Sequence, residues 1–308
     1  MIQDFWMDSL GKGKLRCRKW LPQGQPKAVV QIIHGIAELI DRYDDFASFL
    51  NHHGIAVVAE DHMGHGGSME GGSTRGYFHG GWFTAVADTH ALMQRTMAEY
   101  PHVPYVLFGH SMGSFMARTI LAKYPQSGIR AAVICGTGWQ PRPALPAMIR
   151  LVELICRKNG EQAPSEALQQ LVFGGYNKKV EHPRTKSDWL TRDSAVVDAY
   201  EAHPLCGFTP SAGLIRDMLQ GLRYIEQPEN LGRMEKTLPV FFIAGGDDPV
   251  GNYGKCVEQA AKAFRKAGME QVCLRLYPLC RHEILNEINK EEVYQDVLEF
   301  INKSVLLD

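Results

Sequence analysis

At 308 residues, with 45% hydrophobic and 22% charged side chains, the chain is long enough to bury one large core, or a core with an insertion, without disulfides. Its 33 basic and 34 acidic residues leave a formal charge of −1, and without a basic block there is no electrostatic case for a nucleic-acid partner. Seven scattered cysteines (17, 135, 156, 206, 256, 273 and 280) form no C-x-x-C pair, which predicts reduced thiols and a cytoplasmic setting. The N-terminal MIQDFWMDSLGKGKLRCRKW has no basic segment leading into an apolar one, so no secretory leader is expected. No apolar run reaches the ~18 residues of a membrane span; peripheral contact with lipid is compatible with this composition, and the oligomeric state is not legible.

In chain order, Val- and Ile-rich runs alternate with helical periodicity, the pattern of a mostly parallel sheet covered by helices. Ala28 to His34 reads as a buried strand, Tyr43 to His53 as a helix stopped by Gly54, and Ile55 to Glu60 as the next strand. Trp82 to Tyr100 is a long helix closed by Pro101. Tyr105 to Phe108 is a short strand, Ser114 to Tyr124 a helix, and Arg130 to Cys135 a strand. The alternation resumes late with strand Val240 to Ala244, helix Lys255 to Ala267, strand Val272 to Tyr277 and helix Glu291 to Ile301.

The middle breaks the pattern. Prolines 141, 143 and 146 open it, and helical stretches at Ala147 to Arg157, Ser165 to Val172 and Ala212 to Tyr224 follow without a convincing buried strand. The expected organisation is a core in two parts, 1–138 and 233–308, with an all-helical cap, 139–232, inserted between core strands.

Gly109-His110-Ser111-Met112-Gly113 lies directly after a strand and before a helix, the context of a G-x-S-x-G nucleophile elbow. The serine of such a turn takes a positive φ, and side chains two positions either side would collide, hence the glycines. The turn lifts the hydroxyl to the carboxyl ends of the strands, where open α/β sheets bind ligands. It also sets the Met112 amide at a helix N-terminus, where a developing oxyanion is favoured.

In the chain order of such a fold the acid precedes the base and both follow the serine. His282, the only histidine after 203, follows the last core strand and is the expected base. The acid belongs in Gly245-Gly246-Asp247-Asp248-Pro249-Val250, where spacing does not choose between the two aspartates. The second oxyanion amide is expected from Ile36, because Gly35 lets the backbone turn close to the substrate after the strand ending at His34. His34 sits at the wrong point of the order to be the base and is given a structural role. Asp61-His62-Met63-Gly64-His65-Gly66-Gly67-Ser68 lacks further ligands at credible spacing for a metal and reads as a glycine-rich loop hydrogen-bonded locally. His52-His53 is expected to be exposed.

Together these residues resemble the monoacylglycerol lipase and lysophospholipase-like serine hydrolases of the α/β-hydrolase superfamily, over nearly the full chain. The resemblance rests on His34-Gly35 with Glu38 and Arg42-Tyr43, Asp61 to Ser68, the Gly109–Gly113 elbow, Asp248-Pro249-Val250-Gly251, and Arg281-His282-Glu283. It implies Ser111 as nucleophile, Asp248 rather than Asp247 as acid, His282 as base, and the Ile36 and Met112 amides as oxyanion donors. It makes Glu38 a residue that holds the oxyanion loop; His34, Gly35, Glu38 and His110 form the supporting set. The first loop departs from the family's usual small residue and Glu-His pair, reading Ile36-Ala37-Glu38-Leu39, and the bulkier Ile36 is expected to narrow the acyl site.

The implied reaction is hydrolysis of a small lipophilic ester, such as a monoacylglycerol or lysophospholipid, through an acyl-enzyme on Ser111, with no metal or organic cofactor. An amide or peptide hydrolase on the same triad is the alternative. A non-catalytic receptor of this fold is the third reading, and its expected mark, a damaged triad, is not seen. In the cap, Met148, Leu151, Val152 and Ile155 share a helical face that could be acyl wall or plain packing, with packing preferred. Trp139, Phe173, Trp189 and Phe208 carry the same ambiguity.

Overall fold

A computed structural model describes residues 1–140 and 143–306; Pro141, named above at the opening of the cap, lies outside them. Eight strands, β1 (Ile2–Asp8), β2 (Lys14–Trp20), β3 (Ala28–Ile33), β4 (Ile55–Glu60), β5 (Tyr105–His110), β6 (Ile129–Cys135), β7 (Val240–Gly245) and β8 (Val272–Tyr277), form one sheet in the order β1-β2-β4-β3-β5-β6-β7-β8. The pairs β1–β2 and β2–β4 are antiparallel, and every later pair is parallel. This is the α/β-hydrolase architecture expected above.

The core strands read as unbroken apolar runs because both faces are covered. On one face lie α1 (Asp44–His52) and α10 (Lys290–Ile301), where Phe46 packs against Phe108 of the sheet and Tyr294 packs against Phe46. On the other lie α2 (Trp82–Glu99), α3 (Met112–Lys123) and α9 (Lys255–Lys266), with Trp82, Met116 and Phe264 in the core. In α3 every residue but the last is buried, so the helix following the elbow is gripped along its length.

Between β6 and β7 the described residues carry helices and no strand of the sheet: α4 (Leu145–Asn159), α5 (Glu166–Phe173), α6 (Ser194–Ala202), α7 (Ala212–Ile225) and α8 (Pro228–Leu231). Ser165, Asp193 and Ser211 cap α5, α6 and α7 by accepting from backbone amides of the first turn. The buried face of α7 packs on α2, α3 and α4, tying this helical cap to the core.

The chain runs from β3 to β4 on one side and reaches β5 on the other. The sheet therefore has its switch point between β3 and β5, the crevice where such sheets take ligands. Ile33 pairs with Gly109 there, which brings the turns after both strands together.

Candidate active site

Ser111 sits between β5 and α3 at φ 53°, ψ −121°, in the left-handed region. The close packing behind it explains the flanking glycines. A Cβ on Gly113 would lie 1.9 Å from the Ile33 carbonyl oxygen, and one on Gly109 would lie 2.5 Å from the Gly113 carbonyl oxygen. The Ser111 amide donates to Cys135 O at 3.0 Å, and Ser111 O accepts from the Ser114 hydroxyl at 2.6 Å and the Ser114 amide at 2.9 Å. The turn is thus held by β6 on one side and by the first turn of α3 on the other.

His282 and Asp248 are both buried, with His282 Nδ1 3.0 Å from Asp248 Oδ2. The carboxylate can only accept, so Nδ1 carries the proton and Nε2 is the ring's basic nitrogen. Asp248 Oδ1 accepts from the Val250 amide at 2.8 Å. Asp247 is exposed. The two aspartates that spacing left equal therefore occupy opposite environments, one against the imidazole and one in solvent.

Among the described residues neither the Ile36 nor the Met112 amide has a protein acceptor. Ala37, next along the loop, takes φ 56°, and its carbonyl accepts from the Tyr200 hydroxyl at 3.1 Å and the Gly207 amide at 2.9 Å. The strained turn is thereby fixed by the cap. Gly35 donates its amide to Glu38 Oε1 at 2.5 Å, and a Cβ at Gly35 would approach Ser111 Cβ to 3.1 Å.

Glu38 is the centre of a buried polar cluster. Its Oε1 also accepts from the Tyr43 hydroxyl at 3.0 Å and lies 3.1 Å from His110 Nδ1, and its Oε2 accepts from Arg42 at 3.1 Å. Burial opposes its charge, but the bond to His110 and the nearby cations hold the carboxyl well below its ordinary value. Burial likewise works against a charge on His110, and Glu38 outweighs it, raising the imidazole above the ordinary histidine value. Arg42 then reaches Glu283, beside His282, with two bonds of 2.5 and 2.6 Å.

The histidines of the two early loops pack locally. His34 accepts the His62 amide on Nε2 at 2.9 Å, donates from Nδ1 to Gly35 O at 2.7 Å, and stacks on the His62 ring at 3.9 Å. Burial pushes His34 well below, and His65 down to about 3, so both are neutral. Asp61 accepts from the Ile40 and Gly67 amides. Among the described residues no group of three or more His, Cys, Asp or Glu is placed to hold a metal ion. His52 and His53 are exposed at the end of α1, bonded to carbonyls one turn back.

Ser111, His282, Ile36, Glu38 and His110 all border one cavity of about 870 Å³ between sheet and cap. Trp139, Phe173, Trp189 and Phe208 line it, as do Met148, Leu151 and Val152 of α4. The packing reading of α4 holds for Val152, which is in the core, and for Met148 and Ile155, which pack against it; Met148 and Val152 border the cavity as well, together with Leu151.

Three contributors were given no role from sequence: Arg42, Glu283 and Tyr200. Arg42 stands four residues after Glu38, a spacing that could have flagged their ion pair. Glu283 joins Arg42 from 241 positions away, a pairing that no local spacing signals. Tyr200 lies on α6, which no buried-strand or long-helix pattern marked.

Residues 24–289 match the Hydrolase_4 family, described as serine aminopeptidase, S33. The chain belongs to this family. It is 36% identical to human monoglyceride lipase over 94% of this chain and 85% of that protein. To the monoacylglycerol lipase of Mycolicibacterium smegmatis it is 28% identical, over 92% and 90%. A thermostable carboxyl esterase from Bacillus coagulans, solved in complex with glycerol, superposes with a TM-score of 0.91 at 28% identity, covering 99% of both chains. With family, fold and relatives in agreement, the protein is a serine hydrolase of the esterase and lipase branch. Among the described residues no helix is long and apolar enough to cross a membrane.

Proposed function

We propose that the protein hydrolyses lipophilic carboxylic esters, monoacylglycerols or lysophospholipids, through an acyl-enzyme on Ser111. The observation that carries the reading is a single juxtaposition. The serine at the positive-φ turn and the histidine bonded to a buried aspartate border the same, mostly apolar cavity.

In this mechanism Ser111 Oγ attacks the ester carbonyl carbon while its proton passes to His282 Nε2. Asp248 keeps Nδ1–H oriented and stabilises the imidazolium without taking the proton. The oxyanion is received by the Ile36 and Met112 amides, the latter strengthened by the N-terminus of α3. His282 protonates the departing alkoxide, then activates the water that releases the fatty acid. Glu38 serves the oxyanion loop through the Gly35 amide, and His34 and His110 support the same turns. The apolar side chains of α4 and α5, with Trp139 and Phe208, form the acyl wall of an inserted cap, 139–232. Leu151, Leu154 and Leu171 of α4 and α5 are about half exposed or more, which supports peripheral contact with a lipid surface.

The family's description favours a second reading, cleavage of an aminoacyl amide. Such a substrate asks for a carboxylate to hold its free ammonium. The two glutamates on the cavity, Glu38 and Glu283, are both engaged by Arg42, which supports the ester. Turnover of purified enzyme on esters of graded acyl length, run beside aminoacyl amides, tests the choice. Faster turnover of long-chain esters is expected, and faster turnover of the amides would overturn it.

A further inference from the structure

The loop that presents His282 is seated on the cap. Four successive carbonyls, Asp188 to Thr191, receive it: Arg281 donates from Nη1 to Asp188 O at 2.6 Å and Thr191 O at 3.0 Å, the His282 amide donates to Trp189 O at 3.4 Å, and the Glu283 amide to Leu190 O at 2.7 Å. Beyond them Arg192 pairs with Glu287 at 2.9 Å and donates to Asn289 at 2.7 Å. The Trp189 ring lies against the His282 ring, with centroids 5.1 Å apart and planes inclined by 38°. Tyr176 packs edge-on against the indole at 4.8 Å, so the ring has a second aromatic neighbour that braces it.

The groups around the imidazole are few. Asp248 faces Nδ1 at 3.0 Å, and the His110 ring lies at 4.8 Å with Glu38 behind it. Glu283, the next residue, is taken by Arg42. An indole face attracts a cation within about 6 Å of its centroid. The imidazole becomes such a cation when the Ser111 O–H bond breaks, Nε2–H forms, and the oxygen's electron pair goes to the carbonyl carbon.

We propose that Trp189 is a positioning residue for His282, a ring supplied by the cap that holds the imidazole toward Ser111 and favours its imidazolium. This rests on the reading of His282 as the base. Trp189 also borders the cavity, so the competing role is acyl wall alone, and substrate length separates the two. An acetyl ester reaches no acyl wall, whereas a dodecanoyl ester does.

The test compares wild type, Trp189→Phe and Trp189→Leu on p-nitrophenyl acetate and p-nitrophenyl dodecanoate, with the rate of Ser111 labelling by a fluorophosphonate. Trp189→Leu should lower kcat by about tenfold on both esters and slow labelling similarly, leaving KM for the acetate unchanged. Trp189→Phe, which keeps an aromatic face, should recover most of the loss. A fluorinated tryptophan at 189 keeps the shape and drains the ring's negative face, and should lower kcat on both esters by several-fold. A loss confined to the dodecanoate, or unchanged kcat with the fluorinated ring, overturns the proposal. Wild-type turnover by His282→Ala would instead sink the base assignment beneath it.

Discussion

Arg42 and Glu283, 241 positions apart, meet in a two-pronged ion pair of 2.5 and 2.6 Å, and the same guanidinium reaches Glu38 at 3.1 Å. One cation thus joins the loop that carries the Ile36 amide to the loop that carries His282. Burial opposes the charge on Arg42, but Glu283 and Glu38 hold it well above its ordinary value. Removing it takes from the buried Glu283 its only cation among the described residues, leaving the Asn286 amide, and takes one partner from Glu38, so Arg42→Leu should cost roughly 3–5 kcal/mol in urea unfolding. Arg42→Lys should recover only part of this, since an ammonium cannot reproduce the fork. A loss within 1 kcal/mol for Arg42→Leu would show that the strap is not carrying the two loops.

Asp248 and Asp247 are neighbours with opposite surroundings, and the mechanism assigns them opposite importance. Asp248→Asn permits the wrong imidazole tautomer and should lower kcat by about 10⁴-fold. Asp247→Asn, altering an exposed side chain, should stay within about twofold by the modest effect usual for surface changes. Steady-state kinetics on one ester decides it, and equal losses would remove Asp248 from the mechanism.

Asp217, in α7, provides a pH prediction. Burial, against the pull of Arg216, raises its carboxyl from 3.8 to about 6. The folded state therefore binds the proton more tightly than the unfolded chain. Stability from this group is greatest below about pH 4, declines as pH rises to about 6, and is level above. Across that window the change amounts to roughly 2–3 kcal/mol. Asp61 is raised to about 6 by burial as well, so the informative quantity is the difference between wild type and Asp217→Asn. The urea midpoint of the variant should fall less steeply between pH 4 and 6; parallel curves would mean Asp217 does not titrate there.

Much of this fold is legible in the sequence because buried parallel strands announce themselves. Ile55–Glu60 and Val272–Tyr277 match their strands to the residue, and the others agree within two positions. The exceptions have physical causes. The first two strands form an antiparallel hairpin at the sheet edge, and β1 is mostly exposed, so no apolar run marks it. Helix α6 is short, with only Val197 and Tyr200 buried, yet Tyr200 fixes the Ala37 carbonyl. The elbow was legible because its strain demands glycines at fixed spacing. The choice between Asp247 and Asp248 was not legible from spacing, since burial is set by how β7 and β8 lie together. Nor could periodicity tell wall from packing on α4, as both ask for the same apolar face.

In the proposed mechanism Ser111 carries the acyl group. Acid-quenching the enzyme during turnover of a slowly deacylated ester, followed by mass spectrometry of the peptide spanning Gly109–Gly113, tests it most directly. An added acyl mass is expected on Ser111 in wild type and none in Ser111→Ala, with ester turnover lost in the variant by several orders of magnitude. Continued turnover by Ser111→Ala, or an acyl mass on another residue with Ser111 unmodified, would contradict it.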